Sequence, residues 1–410
     1  MLRIVIAGGG FAGLEALLGL RAVAPDAELT LVAPDPDFSY RPLAVAEPFA
    51  AGQAHHVPLA RIVADAGAKL VADALAGVDD AAREVRLQRS TLPYDALLVA
   101  TGARPVEGVP GALTWMPEGD PELYGGLLRD LEEGYSKRVA IVIPPGAAWP
   151  LPAYELAAMT AGEVEAMGQK GVEVVVVTPE HAPLALFGER ASKAVADEME
   201  RAGVKVVTGK VARREGSELV LEPSGERLAV QRVVAIPRLL GPAIDGLPAD
   251  EDGFILVGDD GRVQGTERVW AAGDGIASPV KFGGLATQQA RRAVAGIARL
   301  AGADAPDPGE PVLHGRLLVG GRGRRLTGEG EGAPLWWPEG KVAGEYLPRW
   351  LAEHGVGGAV PDRPPEGVEV KRPVRELASE AGYLFDLGRQ YRIADPKIAR
   401  LGRRMREARR

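Results

Sequence analysis

Short, continuous apolar runs punctuate the chain, and helix-forming segments separate several of them. LRIVIA at 2–7 leads through a cluster of glycines into LEALLGL, and further runs stand at 138–143, 172–177, 204–208 and 232–236, with a helical pattern at 189–202 between two of these. Strands alternating with helices of this length predict an α/β protein with parallel sheets. Past a Pro/Gly-rich stretch at 305–311 the periodicity weakens.

The first strand-to-helix junction carries the clearest local chemistry. Gly8 to Gly13 (GGGFAG) fill a G-x-G-x-x-G frame. Gly8 allows the tight turn, Gly10 lets backbone N–H groups approach a pyrophosphate, and Gly13 lets helix and strand pack closely. Phe11 and Ala12 complete the loop, and the helix N-terminus is expected to face the phosphates. A secretory leader competes for the same stretch, because Arg3 precedes an apolar segment and small residues follow at 22–27. Glu15 inside that segment and four glycines between strand and helix make a poor leader. A dinucleotide loop in a cytoplasmic protein is the expectation.

Composition sets further bounds. With 410 residues the chain has room for two or three domains. A net charge of −8 and a pI near 5.4 give no domain-wide basic surface for nucleic acid. The nearest candidate for a membrane span, 139–154, is short of the roughly 18 apolar residues required and is broken by Pro144, Pro145, Pro150 and Pro152. There is no cysteine, which excludes a thiol nucleophile, a redox dithiol, an Fe–S cluster and a cysteine zinc site. None of the five histidines stands at H-x-x-x-H spacing, so no metal site is predicted, and the pair His55 and His56 reads as a polar loop.

Two further segments fall in a telling order with the glycine loop. TLPYDALLVATGARP at 91–105 contains Ala100, Thr101 and Gly102; VWAAGD at 269–274 is a short strand ending in Gly273 and Asp274. Together the three resemble the pyridine nucleotide-disulfide oxidoreductase superfamily over most of residues 1 to 300. The resemblance implies two Rossmann-like FAD/NAD(P)-binding domains, with parallel sheets and β-meander crossovers, plus a C-terminal extension. The FAD-binding domain would comprise 1–112 and 250–304, the NAD(P)-binding-like domain 113–249, and the extension 305–410. FAD would be non-covalent, Asp274 would accept hydrogen bonds from the ribityl chain, and Ala100, Thr101 and Gly102 would form the crossover between domains. The strand LTLVAP has Ala33 where the family has its ribose-binding acid, so Asp35 becomes the candidate. FSYRPL at 38–43 resembles the segment beside the isoalloxazine, which makes Tyr40, Arg41 and Pro42 candidates for the flavin's surroundings; an ordinary Arg-Pro loop with a buried Tyr fits these residues as well. In the family the helix that begins near Gly284 and Leu285 points at the flavin, where its dipole and Lys281 would favour negative charge on the ring. Its apolar positions Leu285, Ala293, Ile297 and Leu300 predict a buried face.

The inserted region departs from the pattern. Where relatives using NAD(P)H have a second glycine loop, this chain has PPGAAWPLPAYELA, and only Gly146 survives. Pro144 and Pro145 remove N–H donors where a pyrophosphate needs them, while Glu180 remains able to hold a ribose. The segment is similar to that of sulfide:quinone oxidoreductases and flavocytochrome c sulfide dehydrogenases, whose loop ends in a similar P-A-Y-E, here Pro152 to Glu155. Those enzymes carry a catalytic cysteine in the loop; by this alignment Trp149 takes its place, either as an interdomain aromatic or as a ring closing over the flavin.

Two features mark the C-terminal region. Trp336, Trp337, Tyr346 and Trp350 cluster, as core packing or as the lining of a pocket for a flat ligand such as a quinone. From Arg389 on, nine basic residues face Asp395 and Glu407, with Asp395 and Pro396 as a helix start and a narrow apolar stripe of Ile398, Leu401 and Met405. Such a tail is either solvated or touches an anionic membrane or a partner. The sequence reading is an FAD-dependent oxidoreductase without cysteine chemistry, passing electrons from a small-molecule donor to an acceptor, a quinone among the candidates. Its rivals are an NAD(P)H:acceptor reductase resembling type II NADH dehydrogenase and a flavin-binding partner subunit without turnover.

Overall fold

The computed structural model describes residues 1–303, 305, 308–319, 322–327 and 344–356. Two five-stranded parallel sheets form its frame. The first runs Val269–Ala271, Ala96–Val99, Arg3–Ala7, Glu28–Val32, Lys69–Val71; the second runs Leu113–Thr114, Arg232–Ala235, Arg138–Val142, Glu173–Val177, Val204–Val207. In both, side chains alternate between two buried faces. Ile4 and Ile6 pack with helices Phe11–Val23 and Gly283–Leu300, while Val5 packs on the opposite side with the antiparallel meander Leu75–Asp79, Glu84–Leu87, Thr91–Pro93. In the second sheet Val139 and Ile141 face helices Pro121–Glu132, Leu151–Ala166 and Glu189–Arg201; Ala140 and Val142 face the meander Val211–Glu215, Glu218–Glu222, Glu226–Ala229. Burial on both faces is why these strands read as continuous apolar runs rather than alternating ones. Truncating a fully buried residue such as Ile141 to Ala is expected to cost about 2–5 kcal/mol.

Helix starts follow local chemistry. Asp120 accepts a hydrogen bond from Glu122 N at 2.9 Å and Pro121 supplies the preset φ of a first helical residue, so the third helix begins there. Three readings of the sequence need correction. His55 and His56 lie in a strand, His55–Pro58, paired antiparallel with Asp37–Tyr40, because Val57 fills the core behind the first sheet. Leu300, in the last turn of its helix, is 37% exposed, since that turn runs past the core. The strands predicted to end at 143, 208 and 236 each end one residue earlier.

Antiparallel Arg104–Val106 and Arg238–Leu240 join the two halves. The core of the second sheet continues through Val45, Phe49, Val280, Leu285 and Leu317 without a break. Farther on, Glu15 accepts N–H groups of Glu345 (2.8 Å), Tyr346 (3.1 Å) and Leu347 (2.8 Å). The carboxylate that made a leader peptide implausible thus caps helix Leu347–Glu353 from 330 residues away. Trp350 is buried in the same core and donates from Nε1 to Asp65 at 3.0 Å. Trp336, Trp337 and the basic tail from Arg389 lie outside the described residues. No described helix is long and apolar enough to cross a membrane.

Candidate functional site

At the C-terminal edge of the first sheet, the segments following three adjacent strands meet. Gly8 has φ +123°, and a Cβ there would collide with the Ala100 carbonyl; a Cβ on Gly13 would collide with the Gly8 carbonyl. A Cβ on Gly10 would meet nothing within 4 Å. Two glycines are therefore required by the protein's own packing, and the third fronts open space. Helix Phe11–Val23 starts at that opening with no side-chain cap and no acidic residue in its first turn, leaving its first N–H groups for an anion. This is the cradle a dinucleotide pyrophosphate needs, and FAD fits it.

Gly273 closes the other side of the crevice. A Cβ on it would lie 3.1 Å from Ala12 Cβ and 3.6 Å from Ala286 Cβ, so it sits between the first turns of helices Phe11–Val23 and Gly283–Leu300. Gly102 approaches the same turn, its oxygen 3.0 Å from a Cβ built on Gly275, and Ala100 N donates to Ala7 O at 2.7 Å. Thr101 is exposed beside them. Asp274 is partly exposed; burial pushes its carboxyl upward, against the pull of Lys281 and Arg41. The second helix also begins without a side-chain cap, on Phe282, with Gly284 and Leu285 buried in its first turn.

Lys281 is 3% exposed. Its Nζ donates to the Ile276 carbonyl and stands 3.8 Å from the centre of the Phe254 ring, a cation–π contact. Burial lowers its pKa to about 8, with Asp274 and Asp250 pulling the other way, so the ammonium is still mainly charged at pH 7. Phe11, Phe38 and Tyr40 form an aromatic cluster behind the glycine loop, with centroids 5.1 to 6.5 Å apart. Tyr40 is buried, and loss of solvent pushes its hydroxyl pKa up. Arg41 is exposed and pairs with Glu118 at 3.2 Å, with Pro42 partly buried beside it. Asp35 is exposed between Pro34 and Pro36, two residues past Ala33, whose Cβ would lie 3.1 Å from a Cβ on Gly9 of the glycine loop.

The corresponding edge of the second sheet is built differently. Helix Leu151–Ala166 begins on Pro150 with Pro152 in its first turn, and Ala147 and Ala148 are buried. Trp149 stacks on Phe282 (4.3 Å, 23°) and meets Phe187 edge-on (5.9 Å, 66°). Glu180, 3% exposed, accepts from Tyr154 Oη at 2.6 Å and Thr178 Oγ1 at 2.9 Å. Burial raises its pKa to about 7, Tyr154 and Thr178 pulling it down. Pro144, Pro145, Pro150 and Pro152 take N–H donors out of this edge, and both hydrogen bonds to Glu180 fall on Oε2, while its buried Oε1 has no hydrogen-bond partner.

Sequence reasoning missed Phe254 under Lys281 and the side chains that pin residues 312–318. Gln288 exchanges two hydrogen bonds with Val312 (2.8 and 2.9 Å), and Glu155 Oε1 accepts from Leu318 N at 2.9 Å. No local pattern marks such contacts, whose partners lie 24 and 163 residues apart.

A glycine-loop sheet beside a second, similarly wound sheet is the plan of the flavoproteins built from two dinucleotide folds. The chain matches the pyridine nucleotide-disulphide oxidoreductase family over residues 2–296 and belongs to it, which makes it an oxidoreductase of the FAD-dependent class. It is 28% identical over 297 residues to an NADH dehydrogenase-like protein of Mycobacterium tuberculosis, covering 67% of this chain and 72% of that one. Its fold is similar to the sulfide:quinone oxidoreductase of the hyperthermophilic bacterium Aquifex aeolicus, with a TM-score of 0.68 and 19% identity over 79% of this chain and 83% of that one. A ferredoxin reductase from Rhodopseudomonas palustris gives a TM-score of 0.60 and 23% identity, with 79% and 82% covered.

Proposed function

We propose that the first-sheet crevice holds FAD non-covalently and that the protein passes electrons from a donor other than NAD(P)H to an acceptor, a quinone being the class to test first. The observation that carries the reading is the opening at Gly10 in front of an uncapped helix, set against a second sheet whose loop is buried and rich in proline. When bound, FAD supplies the electron or hydride transfer. The chain's part is to hold and polarise. N–H groups at the start of helix Phe11–Val23 would bind the pyrophosphate, Asp274 the ribityl hydroxyls, and Asp35 the adenosine ribose. Lys281 and the N-terminus of helix Gly283–Leu300 would supply positive potential where the ring gathers charge. Ala100, Thr101 and Gly102 would wall the crevice, with Tyr40, Arg41 and Pro42 around the ring. With no cysteine in the chain, neither a persulfide nor a dithiol takes part.

The donor assignment rests on Pro144 and Pro145, which remove two N–H groups from the loop. Each missing charge-assisted hydrogen bond costs about 1.5–3 kcal/mol of nucleotide affinity, and two weaken binding by roughly a hundredfold or more. Anaerobic stopped-flow reduction with NADH and NADPH in turn should therefore bleach the flavin slowly and with poor saturation. Rapid bleaching that saturates at micromolar nucleotide would overturn the claim and favour an NAD(P)H:acceptor reductase, the reading that the mycobacterial relative's name supports. A yellow protein that no donor bleaches would instead be a partner subunit without turnover.

A further inference from the structure

The loop after strand Arg138–Val142 carries Pro144, Pro145 and Pro150, yet it is neither exposed nor idle. Ala148 turns its carbonyl toward the first sheet and accepts the backbone N–H of Lys281 at 3.2 Å. The next side chain, Trp149, lies flat on Phe282 at 4.3 Å. Phe282 is the residue on which helix Gly283–Leu300 starts, with extended backbone (φ −159°) and no side-chain cap. On the far side, Lys281 reaches the other way, to the Ile276 carbonyl and the Phe254 ring. Residues 281 and 282 are thus gripped from both sides, by backbone and ring from the second sheet and through the ammonium from the first.

We propose that Ala148 and Trp149 form a positioning clamp that fixes the Lys281 ammonium and the start of helix Gly283–Leu300, an inference that rests on the flavin reading of that site. In this role the loop is an acceptor and an aromatic platform. Its prolines at 144, 145, 150 and 152 fix φ and so stiffen it for that task. Trp149 acts through Phe282 and the peptide of Lys281; it is a positioning residue, with no part in the chemistry itself.

The test compares Trp149→Leu, which keeps apolar bulk and removes the stack, with Trp149→Phe, which keeps a ring. In full-length protein, with and without FAD, the acylation rate of Lys281 is followed by peptide mass spectrometry. Trp149→Leu should raise it about two- to tenfold, the factor that losing an aromatic pair implies, and Trp149→Phe should leave it near wild type. In the FAD-loaded protein Trp149→Leu should lower the flavin potential toward that of Lys281→Met, and the double variant should go no lower than Lys281→Met alone. Wild-type acylation and potential in a folded Trp149→Leu protein would reduce the tryptophan to packing and end the proposal. If Lys281→Met itself leaves the potential unchanged, the flavin reading of Lys281 fails while the acylation rates still decide the clamp. Should Trp149→Leu not fold, Phe282→Leu breaks the same stack from the other side and is read by the same rates.

Discussion

The central strands of the two sheets, Arg3–Ala7 and Arg138–Val142, feed loops of opposite character. After the first come glycines, an uncapped helix and open space; after the second come prolines, a buried loop and an indole stacked on a phenylalanine of the other half. The sheets share winding, and each carries a meander on one face. Frame and site are therefore separable in this molecule. The frame is kept by apolar burial on both faces of each sheet, whereas a nucleotide site needs backbone N–H groups free to point outward.

The largest expected effect separates the three glycines of the first loop. Gly10 has extended backbone (φ −89°) and no neighbour within 4 Å of an added Cβ, so Gly10→Val should fold like wild type. It should nevertheless purify without FAD where wild type carries about one per chain, because the side chain occupies the space of the pyrophosphate. Gly13→Val, whose Cβ meets the Gly8 carbonyl, should fail to fold or lose much of its thermal stability. Flavin absorbance and circular dichroism on both variants read this directly. Full FAD occupancy in folded Gly10→Val would erase the contrast between the two loops.

How much of that contrast was legible beforehand follows from the range of each interaction. The glycine frame, the Gly-Asp turn and the proline-rich loop are local, since sequence spacing alone sets their backbone and donors; they were readable, as were the strands of both sheets except the short edge strands Lys69–Val71 and Leu113–Thr114. Contacts between distant segments were not. Nothing in the residues near Trp149 announces Phe282, and nothing near Lys281 announces Phe254 or the burial that separates it from an ordinary solvated lysine. Asp35 shows the same limit from the other side: its place after the second strand was legible, its exposure was not.

A smaller effect probes the second sheet. Glu180 is neutral in the folded protein below about pH 7, whereas in the unfolded chain it ionises near 4.5. Between those values the folded state binds more protons, so this group's contribution to stability falls as pH rises, by about 3 kcal/mol in all, and is flat above. Glu180→Gln keeps an acceptor for Tyr154 and removes the ionisation. Urea midpoints should show the variant equal to wild type near pH 4.5 and more stable at pH 8. Parallel loss in both proteins between these pH values would mean that the carboxyl is solvated and that the ribose position is open after all.

The smallest effect lies at the first sheet, where the flavin is proposed to bind. Lys281→Met keeps the apolar stem over Phe254 and deletes a buried charge, while the dipole of helix Gly283–Leu300 remains. At an effective dielectric constant near 20, two unit charges about 8 Å apart interact by about 2 kcal/mol, which sets the scale. Since roughly 30 mV corresponds to 1.4 kcal/mol for a two-electron couple, an interaction of that size lowers the flavin potential by about 40 mV. Sulfite binding at the ring should weaken in step, because the adduct too gathers negative charge beside the lysine. The sign with pH follows from the lysine itself. It is charged below about 8 and neutral above, so the gap between wild type and variant should be full at pH 7 and close as pH rises past 8. Equal potentials and equal sulfite affinities at pH 7 would leave the helix as the source of positive potential and make the burial of Lys281 a matter of packing against Phe254.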